Sequence, residues 1–564
     1  MNYLFLGDCL NVLRNKKDIP DDSIDLIYID PPFNSKRNYN IFFDDKEIQT
    51  QRIAFEDTWT LKNIQDSMAE LHNIETEPIY ELLQTYQNVA PHAFPYLVMM
   101  ALRIIELHRV LKKTGSFYLH CDPAMSHYLK TLCDLIFGHE NFQNEIIWRR
   151  TGNHNKLKRF GPIHDVILFF TKSNVYTWNN PKRPYMRGHI KEYFIKDKQG
   201  YKTQYYGNVL TGSGTRGGDS GKPWKGFNPT AKGRHWAVPG AVLEDIDEDL
   251  SALSQHKKLD RLFELGYIKI VEGQAWPVYE RYLEKNDGQP LPDIWAYQPY
   301  TNGTVFGTEE GIDEDIRWLS PRDQERWGYP TQKPKALLER IITASSNEGD
   351  TVLDGFGGCG TTIDAAEGLK RNWMGIDISP IAISLIKRRI NQNYGNLLSK
   401  YSIRGVPSDE QSAMKLWEEN PNAFQDWWCT ELEVFATTYG KKGADKGVDG
   451  IGLYSTGKLV KEDLKVAFQV KGGKVQSKDV DALIGAMFTH KCQCGVFLSK
   501  KKPSKPMLDT IGKSGFVKSG IQEYPKLQFL TLEEYFSGKK LKLPKDNITL
   551  KSSSKKTDQA LLGF

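Results

Sequence analysis

The chain has 564 residues, of which 39% are hydrophobic and 26% are charged, and its formal net charge at pH 7 is +5. A chain of this length is too long for one hydrophobic core and predicts two or three domains. The composition is that of an ordinary soluble protein, and its mild basicity permits nucleic acid as a partner without arguing strongly for it.

Seven cysteines are scattered along the chain. Their odd number predicts no disulfide framework and favours a reducing cytoplasm. The close pair Cys492 and Cys494 lacks a second pair at zinc-ligand spacing, so we predict no zinc site there. We expect no signal peptide at the N-terminus. We also expect no membrane span, because the longest apolar stretch, near residues 96–110, contains three charged side chains.

The chain begins with two short apolar runs, Tyr3–Leu6 and Ile27–Ile29, that predict parallel strands joined by a helix. The second run ends in Asp30-Pro31-Pro32-Phe33. Because proline cannot donate to a sheet ladder, these residues should lie beyond the carboxyl end of the strand, where α/β sheets bind ligands. This stretch offers a carboxylate and free carbonyls, which can accept hydrogen bonds from the amino group of a planar base, and a ring that can stack on the base. Taken alone, the stretch is more simply a strand and a turn.

Asp8, at the end of the first strand, either contacts a ligand or caps the next helix, which is the commoner role. Weak periodicity over residues 34–90 predicts a mobile loop beside the site. His120, Asp122 and His127 match no familiar metal-ligand spacing, so we do not favour a metal there. The α/β pattern continues with helices at 95–112 and 128–137 and strands at 116–120, 145–148 and 166–170.

From about residue 173 to 330 the apolar periodicity fades, and Tyr, Trp, Gly, Lys and Arg dominate. Residues 211–218 and 232–236 are predicted to be flexible, basic and aromatic. Such side chains hold phosphates, stack on bases and read guanine edges. A loop-rich insertion with a small core of its own is an equally good interpretation of this region by itself.

The strand Thr351–Asp354 runs into a glycine-rich turn and a helix that ends near Leu369. Glycines in such a turn let the backbone approach a ligand and let the helix N-terminus face it. Gly355, Gly357 and Gly360 spell the G-x-G-x-x-G fingerprint, and Asp377 follows at the offset expected of a ribose ligand. The element predicts a site for NAD or another adenosine-bearing cofactor.

The combination resembles the β class of amino-group DNA methyltransferases over roughly residues 1–395. In that family a D-P-P-[YF] catalytic motif precedes the cofactor motif, with a target recognition domain between them, and Asp30-Pro31-Pro32-Phe33 stands in the catalytic place. The resemblance implies cofactor contacts from Asp8 to the adenine; from Thr331, Gln332, Lys333 and Pro334 to the methionine end; from Asp354, Gly355, Phe356, Gly357, Gly360 and Thr361 in the glycine-rich motif; and from Asp377 to the ribose.

The resemblance implies S-adenosylmethionine as cofactor and a flipped base of double-stranded DNA as substrate. Asp30 would accept one N–H of the amino group and the Pro31 carbonyl the other, so that the lone pair faces the methyl group, while Phe33 stacks on the base. No metal is required. Adenine N6 is favoured over cytosine N4, because D-P-P is more usual for adenine and S-P-P for cytosine. Family members often have proline where this chain has Gly355, which predicts a looser turn.

A second α/β unit follows a polar segment, residues 396–420. A helix at 424–438 carries Glu431, Asp449 precedes a strand, and Gln469-Val470-Lys471 ends the strand 466–471. With a helix at 480–489 and a strand at 495–499, this resembles the Mrr-like PD-(D/E)xK nucleases. The resemblance implies a Mg²⁺ site with Asp449, Gln469 and, less directly, Glu431 as ligands, and Lys471 as the residue that orients water or offsets charge. A strand pair with surface lysines is the simpler alternative.

These observations predict an α/β protein: a class I S-adenosylmethionine-dependent methyltransferase with a mostly parallel, Rossmann-like seven-stranded sheet and permuted motifs, plus a nuclease-like domain. We expect a single-chain restriction–modification enzyme. The alternatives are an inactive nuclease domain kept for DNA binding, cytosine-N4 specificity and, remotely, an NAD-dependent oxidoreductase. Recognition sequence and oligomeric state are not predictable. The expected domains are 1–172 (catalytic half), 173–328 (target recognition), 329–395 (cofactor half), 396–420 (linker), 421–536 (nuclease) and 537–564 (flexible tail).

Overall fold

The structure, a computed structural model, describes residues 2–32, 61–151, 160–183, 187–198, 200–206, 208–243, 246, 248–283, 289–295, 316–320, 323–327, 329, 331–432, 434–436, 448–455, 464–473, 475–519, 522–544 and 546–547. The chain forms two compact units. The first comprises Met1–Asn179, Asp293–Tyr297 and Asp315–Phe564, and the second comprises Asn180–Pro292 and Gln298–Glu314.

The strands within the described residues are, in chain order, β1 (Asn2–Leu6), β2 (Ile24–Ile29), β3 (Leu111–Cys121), β4 (Phe142–Arg149), β5 (His164–Thr171), β6 (Lys182–Arg183), β7 (Phe194–Asp197), β8 (Gly200–Tyr206), β9 (Thr211–Ser213), β10 (Arg234–Trp236), β11 (Ile268–Lys269), β12 (Val278–Tyr282), β13 (Gln289–Pro290), β14 (Ile294–Trp295), β15 (Thr351–Asp354), β16 (Asn372–Asp377), β17 (Tyr401–Arg404), β18 (Phe435–Ala436), β19 (Gly450–Ser455), β20 (Leu464–Lys471), β21 (Cys494–Ser499), β22 (Phe516–Ser519), β23 (Gln522–Pro525), β24 (Leu527–Thr531) and β25 (Asp546–Asn547).

The α-helices are α1 (Cys9–Arg14), α2 (Leu61–Leu71), α3 (Glu77–Val89), α4 (Phe94–Val110), α5 (Ser126–Phe137), α6 (Arg187–Tyr193), α7 (Gly240–Leu243), α8 (Gln255–Glu264), α9 (Lys335–Ser345), α10 (Thr361–Gly368), α11 (Pro380–Tyr394), α12 (Glu410–Glu419), α13 (Pro421–Glu431), α14 (Ser477–Thr489), α15 (Lys505–Lys513) and α16 (Leu532–Phe536). Across the described ranges, none of them is both long enough and apolar enough to cross a bilayer.

The large sheet of the first unit has nine strands in the order β14-β4-β5-β3-β2-β15-β16-β1-β17. β5 is antiparallel to both of its neighbours, and the other six pairs are parallel. The seven strands from β4 to β1 form the predicted mostly parallel sheet, and β14 and β17 add a short strand at each edge. The predicted α/β class is confirmed.

Both faces of this sheet are covered by helices, which explains why β2 is an uninterrupted apolar run. Ile27 and Ile29 belong to one buried cluster, which includes α4. Leu26 and Tyr28 belong to a second cluster, which includes α9 and α10. Because alternate residues of a strand point to opposite faces, the two clusters lie on the two sides of the sheet.

Two predictions of irregular structure in this unit are wrong. Residues 34–60 of the predicted mobile loop lie outside the described part of the chain, and α2 and α3 occupy most of the remainder. α3 buries Ile79 and Leu83 at helical spacing inside an otherwise polar and aromatic sequence. β17 lies within the predicted 396–420 linker, where Tyr401 pairs with Asn2. Its residues are only half-buried, as in many edge strands, so no apolar run marks them in the sequence.

The second unit contains a four-stranded antiparallel sheet, β11-β12-β8-β7. It has its own core, which includes Trp224, Trp236 and Leu259. The two basic segments singled out in the sequence pair with each other as β9 and β10, with Trp236 opposite Thr211. Trp236 is fully buried, so it serves the core and is unavailable for stacking on a base, whereas residues 213–218 are exposed.

The nuclease-like part of the first unit is a mixed sheet, β18-β19-β20-β21-β24, with β25 also paired to β19. β20, β21 and β24 are parallel, and β19 runs antiparallel to β20. The helix predicted to reach Thr438 instead ends at Glu431, and Phe435 pairs with Ile451. Aromatic and β-branched residues in this stretch suit a strand better than a helix.

Candidate active sites

Four aspartates stand at the carboxyl ends of four adjacent strands of the large sheet. β2, β15, β16 and β1 are consecutive neighbours, and they lead into Asp30, Asp354, Asp377 and Asp8 respectively. Leu353 pairs with Ile27, which places the ends of β2 and β15 side by side although they are more than 300 residues apart in the chain. Since α/β sheets bind ligands at this edge, the fold brings the predicted catalytic and cofactor motifs to one site.

Asp30 forms an ion pair with Lys333, the lysine of the Thr331-Gln332-Lys333-Pro334 segment. Both side chains are mostly buried, and Pro31 is buried while Pro32 is partly exposed. Phe33 lies outside the described residues. The ion pair joins the predicted catalytic motif directly to the predicted methionine-binding segment, a contact that neither motif predicts alone.

Beneath Asp30, a row of buried polar side chains crosses the sheet. The Tyr28 hydroxyl and Nδ1 of His120 are 2.8 Å apart, and Nε2 of His120 lies 3.2 Å from Oδ2 of Asp165. Oδ1 of Asp165 lies 2.9 Å from Nε of Arg150. Burial and the nearby Lys333 lower the pKa of His120. Both ring nitrogens of His120 therefore have partners within this row.

The glycine-rich turn after β15 is held by its own backbone. The amide of Phe356 donates to Oδ1 of Asp354 (2.9 Å), and the amide of Gly357 donates to the Ile376 carbonyl (2.8 Å). Gly360 has φ = +76°, and a Cβ there would meet Ile386 at 2.8 Å, so both its conformation and its packing require glycine. Asp377 accepts from the amides of Gly358 and Ser379, both at 2.8 Å.

Gly355 stands where related enzymes often have proline, and it packs closely. A Cβ on Gly355 would lie 3.0 Å from Sγ of Cys9, the first residue of α1. The turn is therefore tightly packed, and the prediction that it is looser than in other members is not supported. Cys9 fills the space that a side chain at position 355 would need.

Burial raises the pKa of Asp354 to about 7, with smaller contributions from Asp30 and Asp377, and it raises the pKa of Asp377 to about 6. The folded protein thus holds these protons more tightly than the unfolded chain, in which the pKa is near 4. Between about pH 4 and 7 the unfolded chain has already lost protons that the folded protein retains, so stability falls as pH rises through this window.

We expect Asp354→Asn to flatten this pH dependence, because Asn keeps an oxygen for the Phe356 amide and carries no charge at any pH. The variant should lose about 2 kcal/mol less stability than the wild type between pH 5 and pH 8. Denaturant unfolding at several pH values measures the difference. Glu348→Gln, at an exposed carboxylate, is the control and should keep the wild-type slope. Parallel curves for Asp354→Asn and wild type would contradict the assignment.

Gln332 braces its own loop. Its Oε1 accepts from the Trp327 amide and its Nε2 donates to the Glu325 carbonyl, both at 2.8 Å. Thr331 precedes it, and Pro334 is the residue before α9. Within this segment, the Lys333 side chain is the one directed to Asp30. The Gln332 side chain is hydrogen-bonded to its own loop, and its predicted contact with the cofactor stays a prediction.

A buried ionic cluster behind this loop was not predicted. Asp364 accepts from Arg389 (2.7 Å), Asn393 (2.9 Å) and Tyr394 (2.8 Å), and Lys335 lies 3.1 Å away. Burial acts to raise the pKa of Asp364, but these partners outweigh it and hold the pKa below its usual value. One sequence feature could have indicated this cluster: Arg389 lies between Ile386 and Ile390 on the buried face of a helix, where a charged side chain needs a partner.

The Arg389 guanidinium also donates to Oγ1 of Thr361 (3.0 Å) and lies 3.7 Å from Glu325. The cluster therefore joins α9, α10 and α11 to the loop that carries Gln332. Thr361, predicted as a cofactor residue, has its hydroxyl in this cluster. The arrangement fixes the start of α10, which is the end of the helix that faces the ligand edge.

Asp364→Ala should destabilise the large sheet and its helices by about 3–5 kcal/mol, because it leaves the Arg389 charge buried without its partner. Side chains of both residues are 1% exposed. Denaturant unfolding measures the loss. Glu339→Ala is the matched control, since Glu339 makes a more exposed pair with the same Lys335 and should cost about 0–1 kcal/mol. A loss below about 1 kcal/mol for Asp364→Ala would show that Arg389 finds another partner.

Asp8 caps α1: its Oδ1 accepts from the Asn11 amide at 3.2 Å. Its other oxygen pairs with the buried Arg103 of α4. The capping role that we considered commoner is therefore present. Contact of Asp8 with the cofactor's adenine stays a prediction.

The nuclease-like sheet gathers a second set of polar side chains. Oδ2 of Asp449 accepts from the Val470 amide and Oδ1 from Nε2 of Gln425, both at 2.6 Å. Gln469 is buried, and within the described part of the chain its Oε1 has no hydrogen-bond partner. Lys471, two residues on, is partly exposed and lies 3.9 Å from Asp479. The strand thus brings the three predicted residues to one end of β20.

Glu431 does not join this set as predicted. Its carboxylate accepts from the Tyr535 hydroxyl (3.0 Å) and lies 3.4 Å from Lys387 on α11. The α13 residue that contacts Asp449 is Gln425. Six residues of a helix turn through about 600°, so positions 425 and 431 point in different directions. Among the described residues, no three His, Cys, Asp or Glu side chains are grouped so that they could hold a metal ion.

Two family models match the chain. The model described as a DNA methylase, N6_N4_Mtase, matches residues 24–388, and the model described as a restriction endonuclease, Mrr_cat, matches residues 429–513. The first covers well over half of the chain. The matched segments coincide with the two sheets that carry Asp30 and Asp449.

Curated relatives include the type II methyltransferase M.EcaI of Enterobacter cloacae, 32% identical over 296 residues (52% of this chain, 57% of that protein). The Mod subunit of the type III enzyme StyLTI of Salmonella typhimurium is 25% identical over 371 residues (65% and 50%). The chain thus spans little more than half the length of these relatives. The solved M1.HpyAVI–SAM complex matches 69% of this chain and 100% of its own at 15% identity, with a TM-score of 0.30.

Proposed function

Since the chain belongs to the N6/N4 DNA methylase family and carries a restriction-endonuclease segment after it, we propose that it both methylates and cuts double-stranded DNA as a single-chain restriction–modification enzyme. The methyl donor is S-adenosylmethionine and the acceptor is the amino group of a flipped base, adenine N6 by preference. The observation that carries the first activity is the alignment of Asp30, Asp354 and Asp377 at one sheet edge. A cytoplasmic location is part of this proposal, since DNA and S-adenosylmethionine are both available there.

The cofactor suits the residues at that edge. Oxygens of Asp377 retain lone pairs beyond the two amide bonds and suit ribose hydroxyls, and the glycine turn leaves backbone exposed to a ligand. When bound, S-adenosylmethionine supplies a methyl group already activated as a sulfonium.

The chain's own residues align the acceptor. A nucleobase amino nitrogen is a poor nucleophile because its lone pair is delocalised into the ring. Asp30 and the Pro31 carbonyl accept its two N–H bonds, which favours a pyramidal nitrogen, and Phe33 stacks on the base. Asp30 is ion-paired with Lys333 in this structure. The amino group of the base must therefore displace the lysine from the carboxylate or share the carboxylate with it. The row from Tyr28 to Asp165 fixes the strand end on which Asp30 sits.

The second activity needs a divalent cation to stabilise charge on the phosphate and to lower the pKa of the attacking water. Asp449 and Gln469 would hold it. The buried, unpaired Oε1 of Gln469 fits such a role, and carboxylate and amide oxygens are ligands that Mg²⁺ accepts. Lys471 offsets charge on the phosphate, and Gln425 orients Asp449.

The test uses wild-type protein and unmodified DNA. With S-adenosylmethionine, nucleoside mass spectrometry should detect N6-methyladenine; N4-methylcytosine would select the alternative base, and absence of both would overturn the methylase assignment. With Mg²⁺, unmodified DNA should be cut and premethylated DNA spared. Methylation without cleavage under Mg²⁺ or Mn²⁺ would favour the alternative in which the nuclease-like domain only binds DNA. Binding of NAD in place of S-adenosylmethionine would revive the oxidoreductase alternative.

A further inference from the structure

The connection between β21 and α15 of the nuclease-like domain is rich in lysine. Lys500, Lys501 and Lys502 follow β21 directly, and Lys505 is the first residue of α15. Residues 500–505 together form a lysine segment. Lys500 is half-buried and the other three lysines are exposed. Exposed lysines are ordinary on a protein surface, so the position and the surroundings of this segment decide whether it has a further role.

The lysine segment lies at the edge of the sheet that carries the proposed nuclease residues. β20 and β21 are parallel, Lys471 pairs with Ser499, and the Lys500 amide donates to the Lys471 carbonyl at 3.3 Å. The segment therefore begins beside the end of β20. α15 then runs to the opposite edge, because the Gly515 carbonyl just beyond it accepts from the amide of Lys526, the residue before β24.

The backbone of the segment is held by its neighbours. The hydroxyl of Ser499, which is fully buried, donates to the Lys501 carbonyl. Lys502 forms an ion pair with Glu533 at 3.0 Å. Pro503 restricts the chain between the two ends of the segment. The lysines are thus carried by a backbone that is already fixed, which lowers the entropy cost of binding a ligand.

Three lysines of the segment have no acidic partner at close range. Within the described part of the chain, no carboxylate lies at ion-pair distance from Lys500, Lys501 or Lys505. Asp509 is the nearest acid along the chain, and it is exposed in the middle of α15, four residues from Lys505 and four from Lys513. The segment therefore presents ammonium groups that can accept an anion.

Other charged groups at this edge are largely matched. The ion pairs there are Lys471–Asp479, Lys502–Glu533 and Lys539–Glu534. Lys478 and Asp481 are both exposed in the first turns of α14 and carry opposite charges. Asp449 lies at the same edge, where a bound divalent cation would offset its charge. The unmatched lysines of the segment therefore determine the sign of the remaining charge, which suits an anionic ligand.

We propose that the lysine segment binds the phosphate backbone of double-stranded DNA on one side of the phosphodiester that the nuclease site cuts. The proposal rests on the proposed endonuclease activity, in which Lys471 acts at the cleaved phosphate itself. Contacts to phosphates carry no sequence information, so the segment holds the duplex at any sequence. Because the base to be methylated is held by other residues, the segment serves cleavage and not methyl transfer.

Lys505 and Lys513, at the two ends of α15, provide a matched pair of variants. An acidic residue is favourable at a helix N-terminus and unfavourable at its C-terminus, so an effect through the fold should be larger for Lys513→Glu. The proposal predicts the reverse. Lys505→Glu and Lys501→Glu should each slow Mg²⁺-dependent cleavage of unmodified DNA by at least about tenfold at physiological salt. Lys513→Glu should cut at the wild-type rate, and methylation should be unchanged in all three.

Salt dependence separates a phosphate contact from a structural role. Lys501→Gln should cut slowly at about 200 mM salt and close to the wild-type rate at about 50 mM, because the other phosphate contacts strengthen as salt falls. A loss that low salt does not relieve would overturn the proposal. So would a Lys505→Glu variant that cuts like wild type, or a Lys513→Glu variant that is equally slow.

Lysine acetylation read by mass spectrometry tests the contact without cleavage. The full chain is acetylated with and without an excess of duplex DNA, with Ca²⁺ in place of Mg²⁺. DNA should protect Lys500, Lys501 and Lys505 and leave Lys513 as reactive as before. Equal reactivity of all four in protein that has bound the DNA would overturn the proposal. Protection in wild-type protein that does not cut under Mg²⁺ or Mn²⁺ would sink the endonuclease assignment and leave the segment as a DNA-binding surface.

Discussion

An Asp30→Asn variant should lose methyl transfer by about 10²–10⁴-fold, the range that one positioned acid–base group contributes. Asn has the same shape but presents one oxygen and an N–H₂ group in place of two acceptor oxygens, so it can no longer draw a proton from the target nitrogen. Asp30 also pairs with Lys333. Removing the charge frees that lysine without opening a cavity, so the fold should persist. Single-turnover transfer of labelled methyl groups to DNA measures the loss.

Asp122→Asn is the matched control. Asp122 follows β3, the strand beside β2, and its side chain accepts from the Met125 amide at 2.9 Å. Asn can keep that bond, so transfer should stay near the wild-type rate. Cleavage of unmodified DNA by Asp30→Asn should also be unchanged. Full methylation by Asp30→Asn would remove the central residue of the proposed mechanism.

The second large effect is expected at Asp449. Asp449→Asn should slow Mg²⁺-dependent cleavage by about 10³-fold or more, since a bound metal supplies several kcal/mol of charge stabilisation and each 1.36 kcal/mol is tenfold. The carboxylate holds the Val470 amide and Gln425 at 2.6 Å each. Asn can retain one of these bonds, which limits the structural damage. Initial rates on supercoiled and linear DNA measure the effect.

Methylation by the same Asp449→Asn preparation serves as an internal control for folding and should match wild type. Asp509→Asn, at an exposed position on α15, should leave cleavage intact. If Asp449→Asn cuts as fast as wild type, either the activity comes from a contaminating nuclease or the metal site lies elsewhere in the chain.

The motif residues were predictable because their signals are local. A carboxylate followed by two prolines, or glycines at fixed spacing after a buried strand, can be recognised in a short window. Parallel strands then bring motifs that are distant in the sequence to the same edge of the sheet. Asp30 and Asp354 lie at that edge because β2 and β15 are neighbours. The mostly parallel seven-stranded sheet is what the resemblance implies, and the two short edge strands, β14 and β17, were not predicted.

The contacts between helices were not predictable from such windows. Arg389 and Asp364 lie on different helices, and each reads as a surface charge until the helices pack. Glu431 was the predicted residue of its helix, but helix phase, not residue type, decides that Gln425 is the one that contacts Asp449. α2 and α3 were missed because their few apolar residues are spread among polar ones.

The edge strand β17 sets the length of the connection between the two catalytic parts. It ends at Arg404, and α12, whose Ala413 belongs to the nuclease-like core, begins at Glu410. Residues 405–409 are therefore the whole connection between β17 and α12, and five residues can span at most about 18 Å. Because so short a segment joins the two parts, we expect the proposed nuclease to cut DNA close to the base that the proposed methylase site holds, so that modification and cleavage would occur at one place.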